Sequence, residues 1–313
     1  MSNNILILES IINSNLVSYM SNSSQKNQFT IRPMVIDDMT SIMQLKNAEN
    51  WNQTNLDWKF LINKNPKHCF VACDKKEIVG TVTAMVYGSK LTWIGMMLVA
   101  KNYRGLGISK LLMNTVINKL QHIKSIKLDA TKAGIPVYKK LGFKSEFEIL
   151  RMAAISGFSN KLNQISIENP ALQPITTNNI TEIALFDYKM YGVNRQILFN
   201  RILKQEGTNN WFLKKDGEVT GFVLSRNGSQ YFHVGPLISQ SVTDSKLLLS
   251  KVFLNITNIP ILVDLLEEQT ELLTWLISNG FLIQRSFKRM YLKNNVCNAS
   301  VKNQYLIAGP ELG

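Results

Sequence analysis

The sequence predicts an α+β protein of three layers, α/β/α, made of two successive copies of one unit, each a mixed, mostly antiparallel sheet flanked by helices. Three observations predict it. The first is an internal repeat. Leu141-Gly142-Phe143 is followed by Arg151-Met152, and Asn279-Gly280-Phe281 by Arg289-Met290 at the same spacing, an offset of about 138 positions. Lys76-Glu77-Ile78-Val79-Gly80 is echoed by Gly217-Glu218-Val219-Thr220-Gly221, each after an apolar segment, Phe70–Cys73 or Trp211–Leu213. The second is a pair of hairpin signals, apolar runs around Asp74-Lys75-Lys76-Glu77 and around Asp216-Gly217. The third is a buried strand, a glycine-containing loop and a helix in immediate succession over Leu91–Ile123. A length of 313 residues also fits two domains at roughly 150 residues each.

In the first unit Phe29–Pro33 reads as a strand, and Asp37 or Asp38 can N-cap a helix reaching about Asn50. A second helix follows Asn55. His68–Cys73 and Ile78–Tyr87 form the hairpin, and Leu91–Val99 is a buried strand. Ile108–Ile123 is a helix with Leu111, Leu112, Val116 and Leu120 at helical spacing. Strand Ile126–Asp129, helix Ile135–Leu141 and strand Phe147–Met152 complete the unit. The second unit repeats the order: helices near Ile180–Tyr191 and Arg195–Gln205, the hairpin, strand Tyr231–Leu237, helix Lys246–Leu254, strand Ile261–Leu265, helix Glu271–Ser278 and strand Phe281–Tyr291. The expected domains are therefore an N-terminal extension over 1–28, units over 29–155 and 171–293 joined by a Ser- and Asn-rich linker, and a tail over 294–313 that carries little pattern.

With 45% hydrophobic and 18% charged residues, wholesale disorder and collagen-like architecture are excluded. No run of about 18 apolar residues is present; the nearest, Ile5–Met20, is interrupted by Glu9, Asn13, Ser14 and Asn15 and lacks the marks of a secretory signal. It reads as a docked helix before a polar linker, in a soluble chain expected in the cytoplasm. The 35 basic and 22 acidic residues leave +13, a field that favours anionic ligands. No basic run of five or six residues occurs, so a basic tail does not account for the charge.

Cys69, Cys73 and Cys297 are too few and too odd in number for a disulfide framework. Four strand residues separate the first two thiols by about 13 Å, too far to share a zinc with sulfur bonds of about 2.3 Å. No metal is expected, and the cysteines read as small core residues.

The segment Met96-Met97-Leu98-Val99-Ala100-Lys101-Asn102-Tyr103-Arg104-Gly105-Leu106-Gly107-Ile108-Ser109 carries the chemistry. Gly105 and Gly107 let main-chain amides approach a ligand closely. A helix N-terminus adds unpaired donors and partial positive charge, a ready anion site, with Arg104 and Lys101 or Lys110 at hand. A nicotinamide-binding loop is excluded, because Gly-x-Gly-x-x-Gly is missing and the preceding elements are a hairpin rather than a βαβ unit.

The order Arg-x-x-Gly-x-small, filled by Arg104, Gly107 and Ser109, resembles the acetyl-CoA motif of the GCN5-related N-acetyltransferases, with Ser where that family has Gly or Ala. Tyr138, shortly before Leu141-Gly142-Phe143, matches the family's late helix. The likeness covers residues 30–152. The second half resembles the degenerate C-terminal domain of a subgroup, with cues in Tyr191-Gly192-Val193-Asn194-Arg195, Gly235-Pro236-Leu237 and Gly280-Phe281. Its Ile238-Ser239-Gln240-Ser241-Val242-Thr243 has neither Arg nor a glycine pair, which implies one cofactor per chain.

The resemblance implies direct transfer of an acetyl group from acetyl-CoA to a primary amine. The cofactor-binding residues would be Met97, Leu98 and Val99, where the strand splays and offers amide donors, together with Arg104, Gly105, Leu106, Gly107, Ile108 and Ser109. Tyr138 would be the general acid. Leu91–Val99 contains no Asp, Glu or His, so the base must come from elsewhere. Asp129 on the next strand leads, ahead of Asp187, Tyr191, Asp264 and His233. Trp51 and Asn52, in the loop Glu49-Asn50-Trp51-Asn52-Gln53, resemble the subgroup's acceptor-site loop. The expected partner is an amine substrate, whether small molecule, peptide or protein, with no membrane and no nucleic acid, and the chain is a monomer or homodimer. Two other readings stay open: a fold that binds an acyl-CoA without transferring anything, and an aminoacyl-tRNA-dependent peptidyl transferase.

Overall fold

The computed structural model describes residues 29–155, 169–254, 256, 259–296 and 301–313. The segment Ile5–Met20, the middle of the linker and Cys297 lie outside the described residues. In chain order the first half comprises β1 (Thr30–Pro33), α1 (Met39–Ala48), α2 (Asn55–Lys64), β2 (Phe70–Asp74), β3 (Glu77–Tyr87), β4 (Leu91–Val99), α3 (Ile108–Lys119), β5 (Ser125–Ala130), α4 (Ile135–Lys140) and β6 (Lys144–Ala154). The second comprises β7 (Leu172–Pro174), α5 (Ile180–Tyr191), α6 (Gln196–Leu203), β8 (Trp211–Lys215), β9 (Glu218–Asn227), β10 (Phe232–Ser239), α7 (Val242–Leu254), β11 (Ile261–Leu266), α8 (Thr270–Ser278) and β12 (Leu282–Lys293), followed by β13 (Gln304–Leu306).

Both halves have the expected mixed sheet. Among the described residues only β4–β5 and β10–β11 pair in parallel; the other ladders are antiparallel. The two sheets are, however, one sheet of thirteen strands, in the order β1-β2-β3-β4-β5-β12-β6-β11-β13-β10-β9-β8-β7. Each half lends its last long strand to the other. β12 pairs with β5 through Arg289↔Asp129 and Met290↔Leu128, while β6 pairs with β11 through Asp264↔Arg151 and Val263↔Met152.

This exchange explains the repeat. Arg151 and Arg289 each reach a carboxylate of the other half: Arg151 grips Asp264 with Nε and Nη2 at 2.7 and 2.8 Å, and Arg289 grips Asp129 at 2.9 and 3.0 Å. All four side chains are buried.

The helices lie on both faces. Trp58 and Leu61 of α2, Ile42 of α1, Ile183 of α5 and Phe199 of α6 share one apolar cluster that runs across both halves. On the opposite face α3 packs Ile108, Leu112 and Val116 over the first half, and α7 packs Leu248, Leu249 and Val252 over the second. Cys69 and Cys73 are buried free thiols. No helix among the described residues is long and apolar enough to cross a membrane.

The tail is the element the sequence leaves unread. β13 enters between β11 and β10, with Leu306 opposite both Leu265 and Leu237. Residues 307–313 then cross into the first half, where Trp93 Nε1 donates to the Pro310 carbonyl at 2.9 Å and the Tyr87 hydroxyl to that of Leu312 at 2.7 Å.

Candidate active site

The parallel pairing of β4 with β5 stops at Trp93↔Lys127. Beyond it the strands diverge, and the β4 edge over Ile94–Val99 pairs with no strand among the described residues on that side. A bulge in β4, where Thr81↔Leu98 gives way to Thr83↔Gly95, coincides with a positive φ of 51° at Met96. Thr81 Oγ1 donates to the Met96 carbonyl at 2.7 Å and pins it. Met97, Leu98 and Val99 thus lie on the open arm of the splay.

The arm leads to the glycine loop. Gly107 takes a left-handed φ of 81° as the N-cap of α3, Gly105 takes 83°, and a Cβ at either would meet nothing within 4 Å. Both glycines therefore leave open space over the helix mouth. No side chain caps α3, its first turn holds no acid, and the amides of Gly105, Gly107, Ile108 and Ser109 find no acceptor among the described residues. Four such donors in and before a helix N-terminus suit an anion of phosphate type. Arg104 is half exposed; it donates to the Val99 carbonyl at 3.2 Å and pairs with Glu49 at 2.6 Å.

The second half has the same geometry, closed. β10 and β11 diverge after Val234↔Val263, and β13 fills the gap. The mouth of α7 is also occupied: Ser241 Oγ accepts from the Asp244 amide at 3.1 Å, and Asp244, paired with Lys215, places a carboxylate in the first turn. A capped, acidic mouth repels the ligand that an uncapped one attracts. The residues present thus fit a pantetheine diphosphate in the first half and not in the second.

A cavity of about 640 Å³, counting its open mouth, lies at the splay. Ile94–Met97 of β4, Leu128 and Asp129 of β5, Tyr138, Trp51 and Glu311 form its walls. Tyr138 stands on α4 against Phe143, with ring centroids 6.0 Å apart. Burial pushes its phenol up to about 12, so the proton stays on at neutral pH, and the hydroxyl has no partner among the described residues.

Two expectations need correction. Asp129 lines the cavity but is not a free base: both of its oxygens are taken by Arg289, and Asp264 and Arg151 repeat the arrangement in the half that lacks a cradle. The pair is a structural device of the strand exchange. Asn52 does not face the cavity. Its amide clamps the loop before β10, accepting from the Gln230 and Tyr231 amides at 3.0 and 2.9 Å and donating to the Tyr231 carbonyl at 3.1 Å. The neighbouring Gln53 takes the cavity position, beside Trp51.

Of the lesser candidates for a base, Asp187 and Tyr191 are engaged by Arg195 and Asp264 by Arg151, while His233 is buried and uncharged. Asp187 is bound bidentately by Arg195 at 2.6 and 3.0 Å, with the Arg195 guanidinium 3.5 Å over the Tyr191 ring. His233 Nε2 lies 3.3 Å from Asp264, and burial lowers the imidazole to about 4, so it is neutral. Sequence reasoning missed Glu311 and Gln53. For Glu311 the only signal was the apolar run Tyr305-Leu306-Ile307-Ala308 just before it, which marks a segment that goes inside. No group of three or more metal-ligating side chains occurs among the described residues.

Comparison with known proteins identifies the family. Residues 35–143 match the profile of the Acetyltransferase (GNAT) family, and residues 183–306 that of an Acetyltransferase (GNAT) domain. The chain belongs to the GNAT family of acyltransferases and carries a second, C-terminal GNAT-like domain. It is 25% identical over 213 residues to the Holothin acyltransferase of Pseudoalteromonas sp. (strain SANK 73390), covering 68% of this chain and 70% of that protein. It is 24% identical over 205 residues to the uncharacterized N-acetyltransferase YitH of Bacillus subtilis (strain 168), covering 66% and 71%. In fold it is similar to a candidate acetyltransferase from Pyrococcus horikoshii, with a TM-score of 0.77, 21% identity and coverage of 91% of this chain and 96% of that one.

Proposed function

We propose that this protein transfers an acetyl group from acetyl-CoA to a primary amine, directly and within a ternary complex, using the site of its first half. The observation that carries the reading is the contrast between the two halves: an open splay beside an uncapped helix mouth in one, a plugged splay beside a capped, acidic mouth in the other. A chain with one ligand site and one sealed copy fits a single cofactor. The two similar proteins are both named as acyltransferases, one of them as an N-acetyltransferase, which supports the class of reaction.

In this reading the amides of Gly105, Gly107, Ile108 and Ser109 hold the diphosphate, with Arg104 leaving Glu49 to join them. The open arm at Met97, Leu98 and Val99 receives the pantetheine chain and directs amide donors at the acyl oxygen, a contribution usually worth a few kcal/mol. Acetyl-CoA supplies an activated acyl group and a thiol leaving group. Tyr138 holds a proton on its hydroxyl oxygen for the departing sulfur. Trp51 walls the acceptor side, and the second half, contributing β12 and the tail, closes it.

The test is calorimetry with acetyl-CoA, followed by thiol release over a panel of primary amines: benzylamine, glycinamide, putrescine and Nα-acetyl-lysine. Binding with turnover on at least one amine is expected. Binding without thiol release on any amine would overturn the reading in favour of an acyl-CoA-binding module.

A further inference from the structure

We propose that Glu311, carried into the first half by the chain's last segment, is the general base that takes a proton from the acceptor amine. The inference rests on the transferase reading above. β4 itself offers no Asp, Glu or His; Asp129 gives both oxygens to Arg289, whereas Glu311 gives only one oxygen to a guanidinium, that of Arg226. The tail supplies what the strand lacks.

Its placement is specific. A Cβ at Gly95 would lie 2.6 Å from Glu311 Cα, so only a glycine at that point of β4 lets the tail pass in contact with the strand. Gly235, its counterpart on β10, is needed for the same reason, since a Cβ there would lie 2.2 Å from the Ile307 carbonyl oxygen. The tail thus crosses the two equivalent strands at two equivalent glycines. Bonds on both sides of residue 311 hold it: Trp93 to Pro310, Tyr87 to Leu312 at 2.7 Å, and Arg195 Nη1 to the Gly313 oxygen at 2.9 Å.

Glu311 lines the cavity that Tyr138 also lines, and with Gln53 and Arg151 it also lines the smaller cavity next to it, where Arg226 stands. Its Oε1 accepts from Arg226 Nη2 at 3.0 Å and its Oε2 from Gln53 Nε2 at 2.9 Å. An ionised carboxylate has about four acceptor positions, so room remains for an ammonium hydrogen. The charged groups around it are Arg226 on β9, Asp57 on α2 and Arg151 on β6. Burial, reinforced by Asp57, outweighs Arg226, a hydrogen bond from Glu311's own backbone amide and Arg151, and raises the Glu311 carboxyl above the ordinary glutamate value, in the direction that suits a base.

The step balances. The ammonium nitrogen gives one proton to a Glu311 oxygen, and its freed lone pair forms the C–N bond to the acyl carbon as the C–S bond breaks. Tyr138 gives its phenolic proton to sulfur and is restored by the nitrogen's second proton. Glu311 releases its proton to solvent. The products are an amide, a thiol and one proton.

Glu311→Gln tests it. Gln53 Oε1 is buried without a partner, so an amide at 311 finds an acceptor and the variant is expected to fold. With the panel amine that turns over fastest, kcat at pH 7 should fall on the order of 100-fold or more. The calorimetric affinity for acetyl-CoA should be unchanged, and the deficit should shrink as pH rises towards the amine's own pKa. Without cofactor, a carboxyl-¹³C glutamate titration should place the signal missing from E311Q above the ordinary glutamate range. If the variant misfolds, formate added to Glu311→Ala should restore turnover. Wild-type kcat in E311Q, a loss equal at every pH, a titration below the ordinary range, or no formate rescue would remove Glu311 from the chemistry while leaving the transferase reading intact. A wild type that binds acetyl-CoA and acylates no amine would remove both.

Discussion

Arg289 on β12 and Asp129 on β5, 160 positions apart, form a bidentate ion pair at 2.9 and 3.0 Å with both side chains buried, the guanidinium lying 4.3 Å over the Trp93 ring. The last long strand of the second half is thereby locked beside the splay strand of the first. Neither half has a complete sheet without the other.

Removing one partner of such a pair strands a buried charge, typically at a cost of about 3–5 kcal/mol. Arg289→Met should lower stability by about that amount in urea denaturation, and Asp129→Leu combined with Arg289→Met should recover most of it. A single variant within 1 kcal/mol of wild type would show that the lock is not needed.

The cradle makes a second prediction. Arg104→Ala should raise the acetyl-CoA KM by about 10-fold, the scale of a charge-assisted hydrogen bond. Gly107→Val should do more, because its side chain enters the open space over the helix mouth and a left-handed φ costs a non-glycine residue about 1–2 kcal/mol. An unchanged KM in both variants would empty the helix mouth of its assigned role.

Tyr138→Phe keeps the ring against Phe143 and deletes only the hydroxyl. Turnover should fall on the order of 100-fold with little change in acetyl-CoA affinity. Since the phenol titrates near 12, the wild-type rate should show no loss of this acid below pH 9 or so. Full turnover in the variant would take Tyr138 out of the reaction.

His233 gives the fold a pH dependence of definite sign. Burial lowers its folded value from 6.5 to about 4, so the unfolded chain binds a proton that the folded one refuses. This contribution to stability is complete above pH 6.5 and is lost as pH falls towards 4, on the order of 3 kcal/mol in all. Denaturation midpoints of wild type and His233→Asn at intervals across that window should show the slope disappear in the variant. Asp264 acts lower down: burial pushes its carboxyl up, but Arg151 and His233 together hold it below the ordinary value. Its stabilisation is present above pH 3.8 and is lost as pH falls through the depressed folded value.

Much of this was legible in residue order. The helix at Ile180–Tyr191 and the strand at Leu91–Val99 begin and end where apolar spacing places them, because local periodicity and local burial coincide there. Gly105 and Gly107 announced an uncapped helix mouth because such a mouth is a property of a few consecutive residues. Asn52 and Gln53 were not separable, since which of two adjacent polar side chains turns inward depends on what stands opposite. For Asn52 that is the loop before β10, almost two hundred positions away.

The sequence by itself determined the duplication, the element order, the single glycine cradle and the family likeness, all of which are written in nearest neighbours and fixed spacings. Only the tertiary structure decided that the halves exchange strands, that Asp129 belongs to Arg289, and that Glu311 passes over Gly95. Those depend on pairings between residues more than a hundred positions apart, where the energy of burying charge and closing a sheet edge selects the partner and no local pattern records the choice.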